Sequence, residues 1–182
     1  HGGVKKLAGL CELTGRIMGK TLAHKALLTF RAPKEMTLEI LGPLFAPAAR
    51  ARVDARGFMM DRFPVEGVSD EQVRAAAEGA LGAVAAALAG EPFAPGPAKL
   101  ETGWGKRELA RAAWRVEIGD GALAKSVTPA GGAAIALTAF DKIRAQRVPR
   151  AFEAKGRFWE LALSCAEPKV EVSPDEPLPE LQ

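Results

Sequence analysis

Apart from His1, the sequence has one histidine, His24, and two cysteines, Cys11 and Cys165, from which a thiol nucleophile and its base could be drawn. A thiol beside an imidazole forms a nucleophile with its base. His24, however, lies in a run whose same-parity neighbours are Ala26, Leu28 and Phe30, which places it on the apolar face of a strand. Nothing local ties it to Cys165, and a hydrolytic triad needs its base beside the nucleophile. No cluster of His, Cys, Asp or Glu has metal-ligand spacing, so neither a metal nor another cofactor is expected. Gly119-Asp120-Gly121 and Gly131-Gly132 are turn signals without the glycine spacing of a phosphate loop. The residues do not point to an enzyme. Two cysteines are also too few for a disulfide framework. Two buried free thiols are the default expectation, and pairing in an oxidising compartment is the alternative.

With catalysis set aside, the totals bound what remains. The chain has 182 residues, 48% hydrophobic and 26% charged, which suits one domain with a sizeable core. The net charge is +3, and the 25 Lys and Arg are scattered. Aromatic residues make up 6% and Tyr is absent, so nucleic acid is not an expected partner, whereas attraction to an anionic membrane surface is compatible. No apolar run reaches the roughly 20 residues of a spanning helix. His1-Gly2-Gly3 reads as a cloning scar, so an export signal or lipid anchor ahead of it is compatible with this sequence.

The elements follow from periodicity. Val4, Leu7, Leu10 and Cys11 have helical spacing, which predicts a short amphipathic helix over 4–12. From Leu13 the period becomes two. Strands are predicted at 13–20, 23–31, 36–41, 48–55 and 57–61, for example with Met36, Leu38 and Ile40 alternating with Thr37 and Glu39. The clearest helix comes next. Ser69 with Gln72 makes a capping box, Asp70 and Glu71 suit the dipole, and Gly90 with Pro92 supplies the stop. Val73, Ala77, Leu81, Val84 and Leu88 share one face, and the second half is apolar all round, so it is covered on more than one side. A Pro-rich connection over 91–103 leads to further strands, among them one with Trp114, Val116 and Ile118 on one face and one with Trp159, Leu161, Leu163 and Cys165. Pro168 to Gln182 reads as a surface tail.

This order gives an α+β chain of about ten strands: either a strongly bent antiparallel sheet whose concave face is covered by helices, or a plain α+β layer whose core the helix plugs. Large side chains on the strands face a helix made mostly of alanine, which can leave an apolar cavity suited to acyl chains. Its candidate lining is Leu28, Phe30, Met36, Leu38, Ile40, Leu81, Val84, Leu88, Trp114, Val116, Trp159, Leu161 and Leu163. A solidly packed core is the default for the same residues. The loop Gly42-Pro43-Leu44-Phe45-Ala46-Pro47 places two large apolar side chains where a hairpin tip is normally polar.

Several strings in this order resemble the lipoprotein localisation factor (LolA/LolB-like) superfamily, closest to its outer-membrane acceptor branch, LolB. They are Leu13-Thr14-Gly15-Arg16-Ile17, then Met36 to Leu44 running into the loop, and Val148-Pro149-Arg150 before a strand and a Pro-rich end. The resemblance implies an incomplete, half-open antiparallel β-barrel of about ten strands with its concave face covered by helices, and a non-catalytic carrier or acceptor that holds acyl chains of lipoproteins or lipids. It implies a monomer at the periplasmic face of the bacterial outer membrane, lipid-anchored through an N-terminus removed here, with a membrane surface and a periplasmic carrier protein as partners. Leu44 or Phe45 takes the place of the family's membrane-delivering loop residue. Without the resemblance, the alternative is a structural module of an envelope assembly that uses the 42–47 loop as a protein contact.

Overall fold

The computed structural model describes residues 4–93, 99–103, 106–110, 113–118, 124–129, 133–143 and 146–172. The expected scar, the turns at 119–121 and 130–132 and the end of the tail at 173–182 lie outside these. Antiparallel strands β1 (Val4–Ile17), β2 (Lys20–Arg31), β3 (Glu35–Leu41), β4 (Pro47–Asp54) and β5 (Gly57–Met60) form a meander. Helix α1 (Asp70–Leu88) comes next, then β6 (Lys99–Gly103), β7 (Lys106–Ala110), β8 (Trp114–Ile118), β9 (Ala124–Pro129) and β10 (Ala134–Leu137). β11 (Phe140–Ile143) and β12 (Gln146–Pro149) form a separate hairpin before β13 (Ala151–Lys155), β14 (Trp159–Cys165) and β15 (Lys169–Val172).

The main sheet runs β5-β4-β3-β2-β1-β14-β13-β10-β9-β8-β7-β6, with β15 paired to the start of β1. Among the described residues β5 and β6 are its two unpaired ends, so the barrel is open. Register explains the two faces. Leu28, Leu38 and Ala51 stand side by side on β2, β3 and β4 and are all buried. On the outer face, opposite charges sit directly across the ladder, as in Glu12 with Lys25 and Glu39 with Arg50. The Lys25 hydrogen bond and charge hold Glu12 below the usual carboxylate range.

α1 lies across the concave face, touching both halves of the sheet. It starts as the sequence reads: Ser69 Oγ accepts from the Gln72 N–H, and Gln72 Oε1 accepts from the Ser69 N–H. Val73, Leu81, Val84 and Leu88 are buried and Ala77 is half-buried. Gly90, at φ 78, ends it. One contact fixes its seat. A Cβ on Gly79 would come within 2.8 Å of Trp159 Cζ2, so the missing side chain lets α1 press onto β14.

Four sequence expectations need correction. Residues 4–12 are not a helix but the first half of β1. A bulge between Val4 and Lys6 shifts parity by one, so Val4 and Leu7 both point inward while Leu10 points out. That bulge produces the helix-like spacing. Second, the 91–103 connection contains a 3₁₀ turn (Glu91–Phe93) and β6. Third, the tail does not begin at Pro168, because Lys169–Val172 pair with β1. Fourth, Cys11 and Cys165 are not free thiols: they face each other in the β1–β14 ladder, Cα atoms 3.9 Å apart, and form a disulfide.

Candidate functional site: a cavity under the helix and an apolar tip

Inward positions of several strands leave a cavity of about 50 Å³ beneath α1. β1 contributes Leu13 and Ile17, β2 Leu22, β3 Leu38 and Ile40, and β4 and β5 contribute Ala51 and Met60. Phe63 lies just past β5. α1 closes the space with Val73, Ala77, Ala80, Leu81 and Val84, and Phe152, Ala154, Leu161 and Leu163 complete it from β13 and β14. Every lining residue is apolar, so the space offers no hydrogen-bonding or titratable side chain to a guest. The alanines explain why space is left: a methyl group from the helix meets the large side chains of the sheet.

Of the sequence candidates, Leu38, Ile40, Leu81, Val84, Leu161 and Leu163 border this cavity. Leu28, Phe30, Met36, Leu88, Val116 and Trp159 are buried in the surrounding core without bordering it, and Trp114 packs against that core half-buried. Eleven lining residues were not among the candidates: Leu13, Ile17, Leu22, Ala51, Met60, Phe63, Val73, Ala77, Ala80, Phe152 and Ala154. The signal for Leu13 and Ile17 lies in their alternation with Thr14 and Arg16. Phe152 with Ala154 shows the same pattern, weakened by its shortness. Phe63 lies beyond a strand and carries no periodicity.

Polar chemistry is sparse around the cavity. His24 is half-buried on the inner face and meets Phe63 edge-to-face, with ring centroids 5.1 Å apart. Cys165 is committed to its disulfide, so no thiol is left for His24 to activate. Among the described residues, no group of three or more His, Cys, Asp or Glu is placed to hold a metal ion. No helix among them is long and apolar enough to cross a membrane.

The β3–β4 tip contrasts with this interior. Leu44 is 98% exposed and Phe45 63% exposed. The tip is a built turn: the Gly42 N–H donates to Ala46 O at 2.7 Å, and the Ala46 N–H donates to Pro43 O at 3.2 Å. Leu44 and Phe45 have φ of 57° and 59°, the left-handed region that costs a residue with a Cβ about 1–2 kcal/mol. Two bulky apolar residues are thus held outward at an energetic cost, which is where backbone strain suggests function.

An open antiparallel half-barrel with a long helix over an apolar hollow defines the class of this molecule. A LolA superfamily protein from Nitrosomonas europaea is similar in structure: TM-score 0.51 at 10% identity, covering 94% of this chain and 88% of that one. A DUF1329 family protein from Desulfovibrio piger gives 0.49 at 7% identity, covering 92% and 86%. A domain assigned to outer membrane lipoprotein sorting in Vibrio parahaemolyticus gives 0.46 at 6%, covering 91% and 85%. At 10% identity the Nitrosomonas likeness establishes the fold alone. No family model and no curated protein matches the sequence.

Proposed function

We propose that this protein is a lipid or lipoprotein carrier of the bacterial envelope, of the outer-membrane acceptor (LolB-like) kind. It receives acyl chains in the hollow under α1 and passes them to a membrane touched by the Leu44–Phe45 tip, with no covalent step. The carrying observation is the wholly apolar lining beneath an alanine-faced helix. The shared fold with a LolA superfamily protein and the exposed tip support the same reading. An envelope location and a lipidated N-terminus belong to this proposal, and the Cys11–Cys165 disulfide suits an oxidising compartment.

The volume implies motion. Ligand pockets enclose roughly 300–1,000 Å³, several times the 50 Å³ present here. Loading therefore requires α1 to move away from the sheet, widening a hollow whose walls are already apolar. Native mass spectrometry of protein purified from an envelope fraction tests this: the reading expects bound lipid or lipopeptide at one per chain. Apo protein that also stays apo when mixed with lipopeptide would overturn it.

The small volume also favours one second reading, a solid interaction module whose tip contacts a protein. Substituting Leu44 and Phe45 by Ser separates the two, because loss of liposome association belongs to the carrier and loss of a protein partner with liposome binding intact belongs to the module.

A further inference from the structure

The tip is not the only place where an apolar side chain is forced outward. Met18 is 48% exposed at the β1–β2 turn and Phe158 is 39% exposed at the β13–β14 turn. The two turns are joined, since the Met18 N–H donates to Phe158 O at 2.9 Å. Met18 and Gly19 have φ of 51° and 78°, a pair of left-handed residues where a hairpin ordinarily takes Asn-Gly or Asp-Gly. Met18 thus repeats the pattern of Leu44 and Phe45: an exposed apolar side chain on a backbone conformation that disfavours it.

Register places all four residues at one end of the half-barrel. β2 pairs Lys20 with Ile17 at the Met18–Gly19 turn, and pairs Lys25 with Leu41 just before the tip, so both turns project from the same end. Ile17 also pairs with Trp159, which brings the β13–β14 turn there. β5 runs toward this end as well, and the segment leading to α1 begins there. Gly67 of that segment lies beside Lys20, whose Cε would be 3.1 Å from an added Cβ. The cavity residues Ile17, Leu22, Phe63 and Val73 sit at this end.

Its charge is also distinctive. Lys20, Lys155 and Arg157 are exposed and form no ion pair among the described residues. The carboxylates nearby are mostly engaged: Glu160 is bound by Arg16 and Asp70 by Arg62, while Asp61 accepts from the Arg50 N–H. Glu66 is the exception.

We infer that this end of the half-barrel is a two-footed docking face for an anionic bilayer, with Leu44–Phe45 as one apolar foot, Met18–Phe158 as the other, and Lys20, Lys155 and Arg157 binding lipid headgroups between and beside them. The inference rests on the carrier reading only for its consequence, that the mouth of the hollow is turned toward the membrane. Apolar feet supply insertion and the cations supply attraction to the charged surface.

Vesicle co-sedimentation tests it, using phosphatidylcholine vesicles with and without phosphatidylglycerol. Met18→Asn with Phe158→Ser should lower partitioning roughly tenfold on both vesicle types. Met18→Asn alone suits the turn, so it should keep or raise Tm while lowering partitioning. Lys20→Gln, Lys155→Gln and Arg157→Gln together should lower partitioning roughly tenfold or more on the anionic vesicles only and flatten its salt dependence. Partitioning unchanged in folded Met18/Phe158 variants, or sensitive only to Leu44 and Phe45, overturns the two-footed face. So does an unchanged salt dependence in the cation variant, or a wild-type protein that ignores both vesicle types. Binding of a soluble fluorescent fatty acid, measured alongside without vesicles, should be unaffected by all these variants. Its absence in the wild type would count against the carrier reading and leave the docking result standing.

Discussion

The two ends of the half-barrel are built differently. At the mouth, three turns hold Met18, Leu44, Phe45 and Phe158 outward, and the first turns of α1 roof the hollow. At the other end the turns carry Lys34 and Arg56 rather than large apolar side chains. Ion pairs cross between elements at the mouth too, as in Arg16 with Glu160, but the far end adds Lys34 with Glu91 at 2.8 Å just past α1, Arg52 with Glu35 at 3.1 Å, and Lys6 with Glu171 at 3.1 Å. One end tolerates strain and exposes apolar surface. The opposite end is stitched and polar. The division fits the proposed carrier function, which needs a fixed frame behind a mouth that opens.

The comparison breaks most severely if the frame is cut. The Cys11–Cys165 disulfide closes a separation of 154 residues. The loop-closure model gives about 5 kcal/mol for a loop of that size, an upper figure because denatured-state structure intervenes. Cys11→Ala with Cys165→Ala should lower urea-unfolding stability by several kcal/mol, and a reductant should do the same to the wild type. Insensitivity to reductant would contradict the frame's dependence on this bond.

Next in size is the seat of α1. Gly79→Ala drives a methyl group against Trp159, and overpacking of this kind costs about 1–3 kcal/mol. Gly82→Ala, one turn on, meets nothing within 4 Å and should stabilise by up to about 1 kcal/mol through helix propensity. Thermal denaturation of the pair reads the difference. Equal effects would mean that α1 is not pressed onto β14.

Strain at the mouth comes third. Replacing Leu44 by Gly or Met18 by Asn removes a left-handed penalty of about 1–2 kcal/mol, partly offset for Gly by unfolded-state entropy of about 0.5–1 kcal/mol. Both variants should therefore gain a modest amount of Tm. The smallest effect belongs to the far end. Lys34→Gln removes a solvent-exposed pair with Glu91, worth about 0–1 kcal/mol, and should leave vesicle partitioning untouched.

Legibility in the sequence divided along physical lines. β3 and α1 were readable because each signal is local: alternation in Met36 to Ile40, and a capping box at Ser69 and Gln72. The first half of β1 was not, because one bulged residue turns strand parity into apparent helical spacing. β10 and β11 belong to two different sheets, divided at Ala139, whose φ of 22° cannot be inferred from Ala-Ile-Ala-Leu-Thr-Ala. The cysteine pairing depends on a register between strands at opposite ends of the chain. Leu38 and Leu163 could be proposed as lining from their parity, whereas Phe63 could not. Nor does parity separate Leu38 from Leu28, one of which borders the hollow while the other lies in solid core, since that depends on which helix side chain lies opposite.

The proposed function requires that the hollow under α1 accept an acyl chain. Titration of wild type and Ala80→Phe with an environment-sensitive fluorescent fatty acid tests it most directly, because Ala80 faces the cavity from the helix and a benzyl group there fills it. The wild type should show saturable one-to-one binding, and a folded Ala80→Phe protein should give at least a tenfold weaker signal. No saturable binding by the wild type, or equal binding by both proteins, would contradict it.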